Sequence, residues 1–129
     1  MTYEEMKRVV KLQWKEVLET RDAGQKEYAR TEDNVFANFE RVAKKLSNPA
    51  NRTDISSDDP VFSRITRENV LLVYLLKHID GICAHVDGHT SQREDVTGRI
   101  TDAIVYLCLL RGMIEDGKNR TEGNVVRTM

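Results

Sequence analysis

Apolar side chains recur along this chain at intervals of three and four, the spacing that gathers them on one side of an α-helix. Met6, Val9, Val10, Gln13, Trp14, Val17 and Leu18 make the first such stripe, and that side is expected to be buried. Thr2 and Glu5 stand three apart in front of it, as in a reciprocal capping box, so a helix should begin after Thr2. Gly24 lowers helix propensity without forcing a break, and the helix should end near Ala23 or run to Tyr28. Val35, Phe36, Phe39, Val42, Ala43 and Leu46 form a second stripe, with Thr31 or Asp33 placed to cap it. Leu71, Leu72, Leu75, Leu76, Ile79, Ile82, Cys83 and Val86 form a third, capped by Thr66 and stopped by Gly88. Val96, Ile100, Ala103, Ile104, Leu107, Leu110 and Ile114 form the fourth. The motif SQRE, with Ser91 and Glu94 as a capping box, should open that helix, and Gly117 should end it.

Four helices with one apolar stripe each predict an all-α, compact four-core-helix bundle, one domain over residues 1–117 followed by a short polar tail at 118–129. The breadth of the third and fourth stripes puts those two helices at its centre. It also suggests dimerisation, since a small domain gains stability by covering extra apolar surface with a second copy. The polar connection at 47–65, broken by Pro49 and Pro60, is long for a bare loop. A short helix, a cover over one end of the bundle or an oligomer contact would each account for it.

Composition agrees with this reading. Of 129 residues, 40% are hydrophobic and 6% aromatic, so the core must come mainly from Leu, Ile, Val and Ala. The 20 basic and 21 acidic residues leave a formal charge of -1 without a basic block, which speaks against duplex nucleic acid as a partner while allowing a local cationic pocket. Cys83 and Cys108 fall in apolar stretches and are expected to be reduced packing residues. With neither a secretion signal nor an apolar span of membrane length expected, the chain reads as cytoplasmic, with no membrane partner.

Polar residues interrupt the last two stripes. Lys77 and Asp80 share a side of the third helix, while Asp95, Arg99, Asp102 and Tyr106 follow spacings of four, three and four on the fourth. Charges beside a core need partners. The simplest pairing sets Lys77 or Arg99 against Asp80 or Asp102, and it has two readings: an internal ion-pair network, or a pocket for phosphate. His78 reads as a surface or supporting residue, and His85 and His89 as a weak metal pair interrupted by Gly88. Trp14 suits a core or interface anchor. Asn38, between two phenylalanines, would need a hydrogen-bond partner if buried, from a neighbouring helix or from a nucleobase or sugar. Tyr28, Asp33 and Asn34 could sit at the rim of the same pocket, or serve only as cap and turn.

The stretches EYARTEDNVFANFERVA, LLKHIDGI and REDVTGRITDAIVYLCLL, within residues 27–115, resemble the MazG-like all-α nucleoside-triphosphate pyrophosphatases. The resemblance is greatest to their phage and bacterial relatives associated with nucleotide modification. It implies a helical bundle assembled as a homodimer or homotetramer, a nucleotide or other phosphorylated small molecule as ligand, and Mg2+ held by acidic residues of two helices. Enzymatic members carry ExxE on one helix and ExxD on the next. Here KHID puts Lys77 at the first glutamate and Asp80 at the second, while RITD puts Arg99 at the glutamate and Asp102 at the aspartate.

Two of four acidic positions are thus basic, which favours binding over hydrolysis. Mg2+ commonly needs only one or two protein carboxylates beside substrate phosphates, so the resemblance still allows Asp80 and Asp102 as its ligands. Lys77 and Arg99 would then contact phosphate, with Asn38 and Tyr106 nearby, and Glu94 or Asp95 would orient water if triphosphate were cleaved. A protein that sequesters a nucleotide and a purely structural or protein-interaction bundle are the competing classes.

Overall fold

In the computed structural model, which describes residues 1–28, 33–47, 64–89 and 93–128, the chain forms four α-helices and, among the described residues, no strand. They are α1 (Tyr3–Tyr28), α2 (Ala37–Ser47), α3 (Arg67–Val86) and α4 (Val96–Thr128). The all-α class is as expected. The connection expected at 47–65 falls almost wholly outside the described residues, as do Thr31 and Ser91.

Local hydrogen bonds explain where the helices begin. Thr2 N–H donates to Glu5 Oε2 at 2.8 Å and Glu5 N–H to Thr2 Oγ1 at 3.1 Å, the reciprocal box that opens α1. α1 then passes Gly24 to reach Tyr28. Thr66 caps α3 with Asn69 completing the box, and Gly88, at φ 96°, follows its end. Before α2 the turn is made by Asn34 in place of Asp33: its side-chain oxygen accepts from Phe36 N–H at 3.0 Å and its amide donates to Glu40.

Two expectations at α4 are corrected. It begins at Val96, so Glu94 lies before the helix and cannot be the third residue of a capping box. It also runs through Gly117 to Thr128, so residues 118–128 are helix and not a polar tail. A glycine costs a helix roughly 1 kcal/mol, and here the side chains around it are tied by pairs one turn apart. Arg111 pairs with Glu115, Lys118 with Glu115 and Arg120 with Asp116.

α3 and α4 are antiparallel, and their contacts keep one register. Arg67 meets Asp116, Tyr74 stacks near Tyr106, His78 faces Asp102, and Gly81 lies against Arg99. α2 closes one side of this pair. The core consists of Phe36, Phe39, Ala43, Val70, Leu71 and Met113, with Leu71 fully buried. Arg67 ties the three helices together beside it, donating to Glu40 of α2 and to Asp116 and the Met113 carbonyl of α4.

α1 is attached differently from the expectation. Only Val17 of its stripe is buried, while Met6, Val9, Val10, Leu18 and Trp14, at 52%, are exposed in the single chain. The helix is held to α4 by polar contacts instead: Gln13 Nε2 donates to the Thr101 hydroxyl at 2.8 Å, and Glu16 lies 3.2 Å from the same oxygen. Cys83 and Cys108, expected inside, are exposed free thiols. α3 also corrects the expectation about membrane length, since by length and composition alone it could cross a membrane. α3 packs between α2 and α4 through buried Val70, Leu71 and Leu75, while its Leu72, Val73, Leu76, Ile79 and Val86 are exposed in the single chain.

Candidate functional site

A cavity of about 600 Å³ opens where α1, α2, α3 and α4 converge. Spacing explains how polar groups reach it. Leu71, Leu75, His78 and Ile82 follow intervals of four, three and four, so His78 continues the covered row of α3. Asp102, Tyr106, Leu109 and Met113 do the same on α4. Where these rows pass the end of α2, the covering side chains stop and a recess remains.

One wall of the cavity is aromatic. The Tyr106 ring lies 5.6 Å from the His78 imidazole and 6.1 Å from Tyr74, nearly parallel to both, and Phe39 meets both tyrosines edge-on. Asn38 lines it and is half-buried, and Lys77 stands at its rim without an ion pair among the described residues. On the α1 side Arg21 and Gln25 are hydrogen-bonded to each other. The charged lining comprises two cations, Arg21 and Lys77, and three carboxylates, Glu27, Glu94 and Asp102.

At the deep end His78, Glu94 and Asp102 each offer a ligand atom, all within 4.8 Å of one another. His78 Nε2 lies 3.9 Å from Asp102 Oδ2, and Arg99 Nη1 lies 4.0 Å from Glu94 Oε2, both beyond hydrogen-bond reach. The His78 side chain is only 12% exposed, correcting the expectation of a surface residue. Arg99 lies flat against α3, where a Cβ on Gly81 would approach its Nη1 to 2.5 Å. His78 Nδ1 and Arg99 Nε are buried without hydrogen-bond partners among the described residues.

Burial raises the Asp102 carboxyl above the ordinary aspartate range. His78 opposes that rise, Glu94 adds to it and Arg99 opposes it. A folded-state value above the unfolded 3.8 means that the fold favours the protonated acid, and stability is lost as pH rises through the folded value. Asp102→Asn is therefore expected to raise the melting temperature modestly at pH 7, with the gain disappearing as pH falls below 3.8. Melts of both proteins across that range check it, and a gain that persists in acid would contradict the assignment.

The sequence-predicted residues divide into those the fold brings together and those it does not. Asn38, Lys77, Glu94, Asp102 and Tyr106 line the cavity, and Arg99 stands behind Glu94. Asp80 and Asp95 are exposed and outside it, so Asp80 does not join Asp102 in the ligand-capable group, and Asp95 instead accepts from Thr97 just before α4. His78, read as a surface or supporting residue, lines the cavity, and the row it shares with Leu71 and Leu75 places it on the covered face. His85 and His89 are exposed. Asn34 serves the turn before α2, Asp33 is exposed, and the Tyr28 side chain lies outside the described residues.

Fold and cavity together define an all-α four-helix protein with an aromatic-walled recess, acidic at its deep end. No family model matches the chain, and neither a curated protein nor a solved structure matches it.

Proposed function

We propose that the chain binds a nucleotide, or a closely related phosphorylated small molecule, in the cavity between its helices and acts in nucleotide metabolism or sequestration inside the cell. The observation that carries this reading is the aromatic wall of Phe39, Tyr74, His78 and Tyr106 facing a recess of about 600 Å³, a volume suited to a small organic ligand. An aromatic face accepts a base of any sequence type. Asn38 would supply the amide that orients it, and Lys77 the cation for phosphate. The resemblance of KHID and RITD to the MazG-like motifs points to the same ligand class and to a phage or bacterial setting.

Binding without turnover is the first reading because Lys77 and Arg99 stand where catalytic relatives would carry carboxylates. Hydrolysis of a nucleoside triphosphate to monophosphate and pyrophosphate is the second, favoured by the placement of Glu94 and Asp102 side by side in the recess. The exposed stripe of Met6, Val10, Trp14 and Leu18 supports assembly as a homodimer or homotetramer, which would cover it.

A screen of nucleoside mono-, di- and triphosphates by thermal shift, followed by calorimetric titration, tests the reading. A ligand at 100 times its Kd should stabilise the fold by about 2.7 kcal/mol. Lys77→Ala should weaken that ligand without lowering the melting temperature of the free protein. If no phosphorylated nucleoside stabilises the protein, or Lys77→Ala leaves the affinity unchanged, the reading fails.

A further inference from the structure

We propose that His78, Glu94 and Asp102 form a three-ligand site for a divalent transition-metal ion of the Zn2+, Co2+ and Mn2+ class, set at the deep end of the cavity. It deepens the nucleotide reading by giving that recess a cofactor, but the ion site stands on its own geometry and is tested without nucleotide.

The three side chains come from separate places: His78 from α3, Asp102 from α4, and Glu94 from the segment just before α4. Metal bonds to imidazole nitrogen and carboxylate oxygen are about 2.0–2.2 Å long, which sets neighbouring ligand atoms roughly 3–3.5 Å apart. Ligand atoms already within 4.8 Å of one another need individual shifts below about 1 Å to reach that spacing. Glu94, half-exposed and outside any helix, is free to make most of the movement.

Without an ion the cluster is poorly satisfied. Its two closest approaches between opposite charges are 3.9 and 4.0 Å, too long for hydrogen bonds, and two carboxylates face each other across a half-buried space. The imidazole Nε2 faces the Asp102 carboxylate without a hydrogen bond to it. A metal ion takes the lone pair of one ring nitrogen, leaves the proton on the other, and neutralises both carboxylates at once. The Arg67 cluster at the opposite end of the α3–α4 pair is a useful contrast. There every charged side chain is held by bonds of 3.0–3.3 Å, and no ligand is needed to complete it.

The donor set selects the metal. Mg2+ favours oxygen ligands and usually retains several waters. One imidazole with two carboxylates suits borderline transition ions, which leave further positions open for water or a phosphate oxygen.

Titration of the full chain with Co2+, followed by visible absorption and calorimetry in the absence of nucleotide, tests the site. The expected result is one Co2+ per chain, bound on the order of tenfold or more tighter than Mg2+, with a nitrogen–oxygen ligand spectrum. His78→Gln and Glu94→Gln should each weaken it on the order of tenfold or more, whereas His85→Ala should not. Glu94→Gln guards against misfolding, because Glu94 is exposed and makes no packing contact with the core cluster. No Co2+ binding, binding that survives both substitutions, or a thiolate band from Cys83 or Cys108 would mean an adventitious ion only and overturn the proposal. Failure here with nucleotide binding intact removes the ion alone, and the reverse result removes the nucleotide reading alone.

Discussion

Arg67→Ala is expected to destabilise the fold by about 2–3 kcal/mol, more than removal of any other charged side chain among the described residues. The Arg67 side chain is 12% exposed and reaches Glu40 Oε1 and Asp116 Oδ2 at 3.0 Å each, the Met113 carbonyl at 3.2 Å and Glu68 at 3.3 Å. Its guanidinium also lies 4.8 Å above the Phe36 ring. Burial pulls its pKa down, but the hydrogen bonds it donates to Asp116, Glu68 and Glu40 raise it by more, so the group remains charged. Its removal takes a buried donor from Glu40, Asp116 and the Met113 carbonyl, leaving Glu40 with Asn34 and Asp116 with Arg120. Because those carboxylates keep about a third of their surface in water, the loss is below the roughly 3–5 kcal/mol seen when a fully buried pair is broken. Urea unfolding should show a lower midpoint with an unchanged slope. Arg111→Ala, which removes an exposed pair on α4, should leave the midpoint where it was. Equal effects of the two substitutions would show that Arg67 is an ordinary surface charge.

Under the proposed function, Tyr106→Leu should reduce affinity for a nucleotide about 10- to 100-fold, while Tyr106→Phe stays within a few-fold of the parent protein. The ring is the centre of the aromatic wall, with Tyr74 and His78 nearly parallel to it and Phe39 at its edge. A base resting on that wall would lose its stacking partner in the leucine variant and keep it in the phenylalanine variant. The leucine still packs against the buried core cluster that Tyr106 borders, so the effect on folding should be smaller than the effect on binding. Calorimetric titration of both variants, with melting temperatures measured alongside, separates the two effects. If leucine and phenylalanine bind alike, the ligand does not rest on this ring.

The positions that proved readable share a short range. Thr2 with Glu5, and Thr66 at the head of α3, act on amides three residues away, so their spacing alone specifies the cap. Gly88 stops α3 through its own backbone angle. The expectation that Ser91 and Glu94 open α4 used the same rule and did not hold, since the helix starts two residues after Glu94. Gly117 shows the limit of a propensity argument: a local cost of about 1 kcal/mol is readily outweighed along a long helix.

The candidate site was half legible for a related reason. Helical spacing placed Asp102 and Tyr106 in one row and Lys77 near them, and all three line the cavity. Periodicity does not state how far a helix rotates about its axis, nor where a neighbour crosses it. The antiparallel register of α3 and α4 set His78 opposite Asp102, turned Asp80 away and joined Arg67 to residues 46 and 49 positions further along.

Helix class, the starts of α1 and α3 and the polar rows were therefore determined by the chain alone, because hydrogen bonds and side-chain neighbours within one turn depend only on residues up to four apart. The covered faces, the exposed stripe of α1, the Arg67 cluster and the meeting of His78 with Glu94 and Asp102 were decided by tertiary packing. Those contacts join segments distant in sequence, and whether an apolar or charged row is buried depends on what the rest of the fold lays over it.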